Sequence, residues 1–163
     1  MAILLDPSAI VAAADVADLN HRAAVAWFAG ADEPLLLGAL GLAELDLLLQ
    51  RELGVAATEA VLQALVADAI RLVSPTPEDL ARATVLLREA AEHRPRLADA
   101  LLVASAERLG IRRVACFDRR PLAVFRPRHV RSLDFEPEES RTGPAMPAPF
   151  GLGWCEVGAT SPA

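Results

Sequence analysis

Short apolar runs alternate with longer helical segments along most of this chain, and the alternation restricts the possible folds more than any other feature. The runs have the length of strands and cover residues 3–5, 35–37, 70–73 and 113–117, with 130–133 as a candidate fifth. Strands that are separated by helices favour a parallel sheet whose two faces are both covered. We therefore predict an α/β protein, a three-layer α/β/α sandwich around a short, mainly parallel, twisted sheet of four to five strands.

Cap residues followed by proline mark the starts of two of the helices between these strands. Asp6 before Pro7 and Thr76 before Pro77 are typical helix starts. The predicted helices cover residues 7–14, 17–29, 40–53, 58–69, 77–93 and 97–109. A chain of 163 residues is long enough for one domain with a single core. We assign residues 1–135 to that domain and 136–163 to an irregular tail, because nine of the last 27 residues are proline or glycine.

Composition excludes several classes of protein. Hydrophobic residues make up 53% of the chain and aromatic residues only 4%, so the core is aliphatic. The longest apolar run, residues 35–43, is far shorter than a membrane span, and the N-terminus has no basic leader. We therefore expect a cytoplasmic protein without a membrane segment. Neither a zinc site nor a disulfide framework is expected from the scattered cysteines and histidines, which are Cys116, Cys155, His21, His93 and His129.

The basic residues are distributed unevenly. The formal net charge is −6, which argues against binding nucleic acid by bulk attraction. All sixteen basic residues are arginine, and eight of them lie in the segment 108–131, where Asp118 is the one acid. This segment is either a solvated surface or a rim that contacts phosphates beside an acidic pocket.

Two acids directly follow predicted strands. Asp6 comes after residues 3–5, and Asp118 comes after residues 113–117. In open α/β sheets ligands bind at the carboxyl ends of the strands, so these two side chains are expected at one edge of the sheet. Aspartates at strand ends are also common as turn and cap residues, and that alternative stays open for each.

Two further acids lie on apolar helices. Glu44 is expected on the helix face that carries Leu47 and Leu48, where an unpaired charge is costly to bury. It therefore needs a metal or a partner, and Arg51 is the partner that the alternative of a simple salt bridge requires. Asp99 lies in the first turn of a helix that is apolar on nearly every side, and the helix dipole explains it only in part.

Together these acids predict a metal site. Four carboxylates close together repel one another, and some of them become protonated near neutral pH unless a cation is bound. With oxygen ligands only, the expected ion is Mg²⁺ or Mn²⁺. Such ions bind phosphate groups and activate water, which indicates hydrolysis of phosphodiesters.

The surroundings and order of the four acids resemble the PIN-domain family, and in particular VapC-like toxin ribonucleases of type II (VapBC) toxin–antitoxin systems. The matching stretches are residues 3–11, 42–46, 97–104 and 114–120. The resemblance implies that Asp6, Glu44, Asp99 and Asp118 hold the cation while a bound water cleaves RNA and leaves a 3′-hydroxyl. It also implies a homodimer, repressed by a VapB-like antitoxin that covers the acidic pocket.

Further residues have expected roles within this resemblance. Ser8 and Cys116 are expected to support the acids through hydrogen bonds, and the candidate RNA contacts are Arg113, Arg119 and Arg120. Two positions depart from the family pattern, since Pro7 follows the first aspartate and Cys116 replaces a hydroxyl residue. Both departures affect the support of the acids rather than the acids themselves.

Other classes of protein fit the residues less well. A receiver-type phosphoacceptor needs a lysine near its acids, and this chain has no lysine. A phosphatase of the haloacid dehalogenase type needs a second aspartate where Ser8 stands. The main alternative is a catalytically inert PIN-fold module that binds RNA or protein, in which the acids form only a structural pocket.

Overall fold

A computed structural model describes residues 1–137 and contains a five-stranded sheet in which all neighbouring strands are parallel. The strand order is β3-β2-β1-β4-β5, so β1 lies at the centre. The strands are β1 Ile3–Leu5, β2 Leu35–Gly38, β3 Arg71–Val73, β4 Arg113–Ala115 and β5 Asp134–Glu136. Helices cover both faces, which confirms the predicted three-layer α/β/α sandwich.

Seven α-helices and one short 3₁₀ helix lie between the strands in this part of the chain. They are α1 Pro7–Ala14, α2 His21–Gly30, α3 Ala39–Glu52, α4 Val55–Val66, α5 Pro77–Glu89, the 3₁₀ helix Ala91–His93, α6 Leu97–Leu109 and α7 Arg120–Ala123. Asp6 caps α1 as predicted, and Thr76 caps α5 in a reciprocal capping box with Asp79. Gly110 ends α6 with a φ of 65°, a conformation that glycine adopts without steric cost. None of these helices is long and apolar enough to cross a membrane.

Two clusters of buried side chains form the core, one on each face of the sheet. Side chains alternate along a strand, so Ile3 and Leu5 of β1 enter one cluster while Leu4 enters the other. The first cluster includes Leu45 and Leu49 of α3, and the second is built largely from α5 and α6. The central strand therefore holds both layers of helices against the sheet.

Several elements differ from the prediction, and the helix expected over residues 58–69 is one of them, since α4 covers Val55–Val66. The helix expected over residues 17–29 begins only at His21, because Asp15 and Asp18 accept hydrogen bonds from the backbone NH groups of Ala17 (2.9 Å) and Asn20 (2.6 Å). Such local bonds favour turns over helix. The fifth strand is Asp134–Glu136 rather than 130–133, and α7 was not predicted.

The predicted boundary between domain and tail falls inside the fifth strand. β5 ends at Glu136, and the backbone NH of Cys116 donates to the Glu136 carbonyl at 2.8 Å. The folded domain therefore includes Glu136, one residue beyond the predicted boundary. The remainder of the predicted tail, residues 138–163, lies outside the described residues.

Candidate active site

Three of the four predicted acids line one small cavity at the carboxyl edge of the sheet. Asp6 directly follows β1, Glu44 lies on α3, and Asp99 lies in the first turn of α6. The cavity has a volume of about 30 Å³, and its other lining residues are mainly apolar. Asp6 and Asp99 are buried, with 5% and 2% of their surfaces exposed. The structure thus brings together carboxylates from three separate elements.

Asp6 is held in place by Ser8. Its Oδ1 accepts hydrogen bonds from the backbone NH of Ser8 at 2.9 Å and from the Ser8 hydroxyl at 2.5 Å. Burial raises the pKa of Asp6 above its ordinary value, the two bonds from Ser8 oppose that rise, and the nearby charge of Asp99 adds to it. Asp6 therefore carries its negative charge at a cost that a cation in the cavity would relieve.

Glu44 lies beside the buried side of α3. The prediction that it shares a core-facing side with Leu47 is wrong. Leu45 and Leu49 are fully buried, whereas Leu47 is 73% exposed. The half-buried Glu44 points into the cavity. Burial raises its pKa, Arg96 opposes the rise, and the charges of Asp99 and Asp6 add to it.

An arginine that the sequence analysis did not single out connects two of the acids. The Nε and Nη2 atoms of Arg96 donate to the two carboxylate oxygens of Asp99, each at 3.0 Å, and its Nη1 donates to Glu44. The predicted alternative partner of Glu44 is wrong, because Arg51 pairs instead with Glu52 at 2.6 Å. One signal was available in the sequence, since Arg96 precedes Asp99 by three residues, about one helical turn.

Asp118 lies beside this cavity rather than in it. Its carboxylate is half exposed, accepts a hydrogen bond from Arg120 at 3.2 Å, and lines a neighbouring open groove of about 540 Å³. Ser8 connects the two places, because its hydroxyl oxygen accepts from the backbone NH groups of Phe117 (3.0 Å) and Asp118 (3.4 Å). Three of the predicted acids therefore share a cavity, and the fourth lines the neighbouring groove.

Cys116 supports the segment that carries Asp118, as a hydroxyl residue was expected to do. Its Sγ donates to the Asp118 carbonyl at 3.1 Å and lies 3.7 Å from the Ser8 hydroxyl. Burial raises the pKa of this thiol to about 12, and the charge of Asp6 adds to the effect. The thiol therefore stays protonated and able to donate at neutral pH.

The three arginines predicted to contact RNA have different surroundings. Arg120 is 92% exposed beside Asp118, and Arg119 donates to the Pro137 carbonyl at 2.5 Å with its guanidinium 6.0 Å from the Phe135 ring. The structure does not bring Arg113 to the site. This residue begins β4, at the opposite edge of the sheet, where it forms ion pairs with Glu33 and Glu136.

The donor set of the cavity fits a hard divalent cation. Asp6, Glu44 and Asp99 supply only carboxylate oxygens, which Mg²⁺ and Mn²⁺ prefer over nitrogen and sulfur. Within residues 1–137, no group of three or more acidic, histidine or cysteine side chains is already arranged to hold a metal ion. The guanidinium of Arg96 pairs with both Glu44 and Asp99 and balances their charge.

Comparisons with known proteins agree on one family. The PIN domain model matches residues 3–126. Ribonuclease VapC26 of Mycobacterium tuberculosis is 30% identical over 125 residues, which are 77% of this chain and 93% of that relative. The crystal structure of Mycobacterium tuberculosis VapC20, described as a sarcin–ricin loop cleaving toxin, has a TM-score of 0.69 and 25% identity over 79% of this chain and 98% of its own. FitAcB from Neisseria gonorrhoeae has a TM-score of 0.57 and 23% identity over 80% of this chain and 100% of its own, which supports the fold.

Proposed function

This chain belongs to the PIN-domain family and is VapC-like, and from that premise we propose that it is a metal-dependent endoribonuclease, the toxin of a toxin–antitoxin pair. The observation that carries the proposal is the convergence of Asp6, Glu44 and Asp99 in one cavity at the carboxyl edge of the sheet. Relatives that are ribonucleases support the assignment of RNA as the substrate. An inert PIN-fold module would have no use for carboxylates whose ionised forms are made costly by burial.

We propose that Asp6, Glu44 and Asp99 hold Mg²⁺ or Mn²⁺, with Asp118 at the margin facing the substrate. When bound, such a cation lowers the pKa of a water molecule and stabilises charge on a phosphate. Asp6 is oriented for this role by Ser8, and Asp99 is fixed in the floor of the cavity by burial. Of the three acids, Glu44 is the least buried, so it is the one that would accept the proton of the attacking water.

Arg96 competes with a cation for the same carboxylates. Charge-assisted hydrogen bonds of this kind contribute about 1.5–3 kcal/mol each, so their loss on metal binding is a substantial cost. We expect Arg96→Gln to bind Mn²⁺ roughly tenfold more tightly or better, measured by electron paramagnetic resonance of free Mn²⁺. Arg71→Gln, which removes an exposed arginine paired with Asp68, is the matched control and should bind as the wild type does. Weaker binding by Arg96→Gln would mean that Arg96 organises the acids rather than opposing the metal.

The partners follow from the same proposal. We propose that a VapB-like antitoxin covers the acid cavity and that the chain acts as a homodimer. In the family that this chain resembles, the antitoxin often inserts an arginine into the acidic pocket. Arg96 supports the first point, because Glu44 and Asp99 already accept a guanidinium. Apolar surface for protein contacts is present on α3 and α4, where Leu47, Leu62 and Val66 are exposed.

Removal of the metal tests the proposed function directly. We expect the purified, antitoxin-free protein to cleave total RNA in Mg²⁺ or Mn²⁺, to lose that activity in EDTA, and to regain it when excess Mg²⁺ is added. Gel electrophoresis of the products is the measurement, and their 3′-hydroxyl ends are detected by polymerase extension. RNA that stays intact in both metals, while the protein still binds it, would favour the inert module.

A further inference from the structure

The arginine-rich segment 108–131 is only partly neutralised in the folded chain. Five of its eight arginines contact acids or a carbonyl oxygen through their side chains, and these are Arg108, Arg112, Arg113, Arg119 and Arg120. Within residues 1–137, the side chains of Arg126, Arg128 and Arg131 form no hydrogen bond or ion pair. Two of these three, Arg126 and Arg128, line the same cavity.

This second cavity is separate from the acid cavity and has a volume of about 370 Å³. Its walls come from α5 and from the segment that follows α7, and none of its lining residues also lines the acid cavity. Arg82 forms its base, Arg126 and Arg128 stand at its rim, and Glu89 is the one acid that lines it. The cavity therefore combines three guanidinium groups with a single carboxylate.

Arg82 is held rigidly and has one nitrogen without a hydrogen bond. Its side chain is only 10% exposed, and its Nε and Nη2 donate to Glu107 at 2.8 and 2.9 Å. Nη2 also donates to the Arg126 carbonyl at 3.2 Å, whereas the buried Nη1 has no hydrogen-bond partner. Nη1 forms an ion pair with Glu89 at 3.6 Å, which is too long for a hydrogen bond. A buried donor without an acceptor is costly, so an acceptor oxygen that enters this cavity is favoured.

Glu107 also fixes the rim of the cavity. Its Oε1 accepts a hydrogen bond from the backbone NH of Arg128 at 2.9 Å, in addition to the bonds from Arg82. The arginines of α5 and of the segment after α7 are thus positioned by one carboxylate behind the cavity. Such preorganisation lowers the entropy cost of binding an anion.

We propose that this cavity binds a backbone phosphate of the RNA substrate at a distance from the cleaved bond. Arginine binds phosphate oxygens with its fork of donors. Within residues 1–137, the side chains of Arg126 and Arg128 line the cavity and donate no hydrogen bond. The cavity gives a chain with a net charge of −6 a local positive site, because three guanidinium groups and one carboxylate line it. The proposal rests on the proposed function only for the identity of the molecule that carries the phosphate.

Binding of a fluorescein-labelled stem–loop RNA in EDTA, followed by fluorescence anisotropy over a series of salt concentrations, tests this site without cleavage. We expect the double variant Arg126→Gln/Arg128→Gln to bind roughly tenfold more weakly, with a slope of log K against log salt that is shallower by about 1 to 2. Arg22→Gln/Arg71→Gln has the same change of charge outside the cavity and should stay close to the wild type. Glu89→Gln should bind more tightly, because it removes the carboxylate beside Arg82.

The phosphate site and the nuclease activity can fail independently in these experiments. An Arg126→Gln/Arg128→Gln protein with the affinity and salt slope of the control pair would overturn the site, even if the wild type cleaves RNA. A wild type that cuts no RNA in Mg²⁺, but loses affinity and slope in the double variant, would overturn the nuclease and retain the site. Equal losses in both double variants would show that only bulk charge matters, and would also overturn the site.

Discussion

Asp99→Asn should lower the rate of metal-dependent RNA cleavage by roughly 10²- to 10⁴-fold, the range over which positioned catalytic groups typically act. Asparagine keeps the size of the side chain but removes the negative charge that lies deepest in the acid cavity, where only 2% of Asp99 is exposed. The cation loses one ligand, and Arg96 is left with Glu44 as its one acid partner at the site. The measurement is the initial rate of cleavage of total RNA in saturating Mg²⁺.

Two controls show whether the loss of cleavage in Asp99→Asn is a loss of catalysis. Asp68→Asn removes an exposed carboxylate that pairs with Arg71 in a turn before β3, and it should cleave at the wild-type rate. Binding of RNA in EDTA should be unchanged in Asp99→Asn, because the proposed phosphate cavity shares no residue with the acid cavity. A folded Asp99→Asn protein that cuts within a few-fold of the wild type would remove Asp99 from the active site.

The strand ends and their acids were predictable because the information that specifies them is local. Asp6 follows an apolar run and precedes Pro7, a pattern that predicts both a strand end and a helix cap within a few residues. Asp99 is likewise marked by the apolar helix that carries it. The rule that parallel strands present ligands at their carboxyl ends then brings Asp6 and the helix starts to one edge.

The contact between Arg96 and Glu44 could not be predicted from local sequence. Its bond to Glu44 joins residues 52 positions apart and depends on how α3 and α6 pack against the same sheet. Asp118 shows the same limit, because its place outside the acid cavity depends on the turn after β4 and on the Ser8 hydroxyl. Neither packing angle nor turn geometry can be read from the spacing of apolar residues.

The position of β5 could not be predicted from the sequence, for a different physical reason. It is an edge strand, and its sequence Asp134-Phe135-Glu136 has no apolar run. Its acids are instead paired with arginines at the start of β4, Asp134 with Arg112 and Glu136 with Arg113. An edge strand that is stabilised by cross-strand ion pairs gives no hydrophobic signal, so the apolar pattern predicts the strand at residues 130–133 instead.

The orientation of α3 decides whether Glu44 belongs to the site, and two leucines on that helix report the orientation. Leu45 is fully buried in the core cluster, and Leu47, two residues along the same helix, is 73% exposed. We expect Leu45→Ala to lower the free energy of unfolding by about 2–5 kcal/mol, and Leu47→Ala to change it by less than about 0.5 kcal/mol. Urea denaturation followed by circular dichroism measures both.

This pair also tests the acid cavity, because the same rotation of α3 that buries Leu45 points Glu44 at Asp99 and Asp6. The two variants remove the same atoms from leucines of the same helix, so their difference reports burial rather than helix propensity. A large loss in Leu47→Ala with little change in Leu45→Ala would mean that α3 is rotated by about half a turn. Glu44 would then face away from Asp99, and a site built on three converging carboxylates could not form.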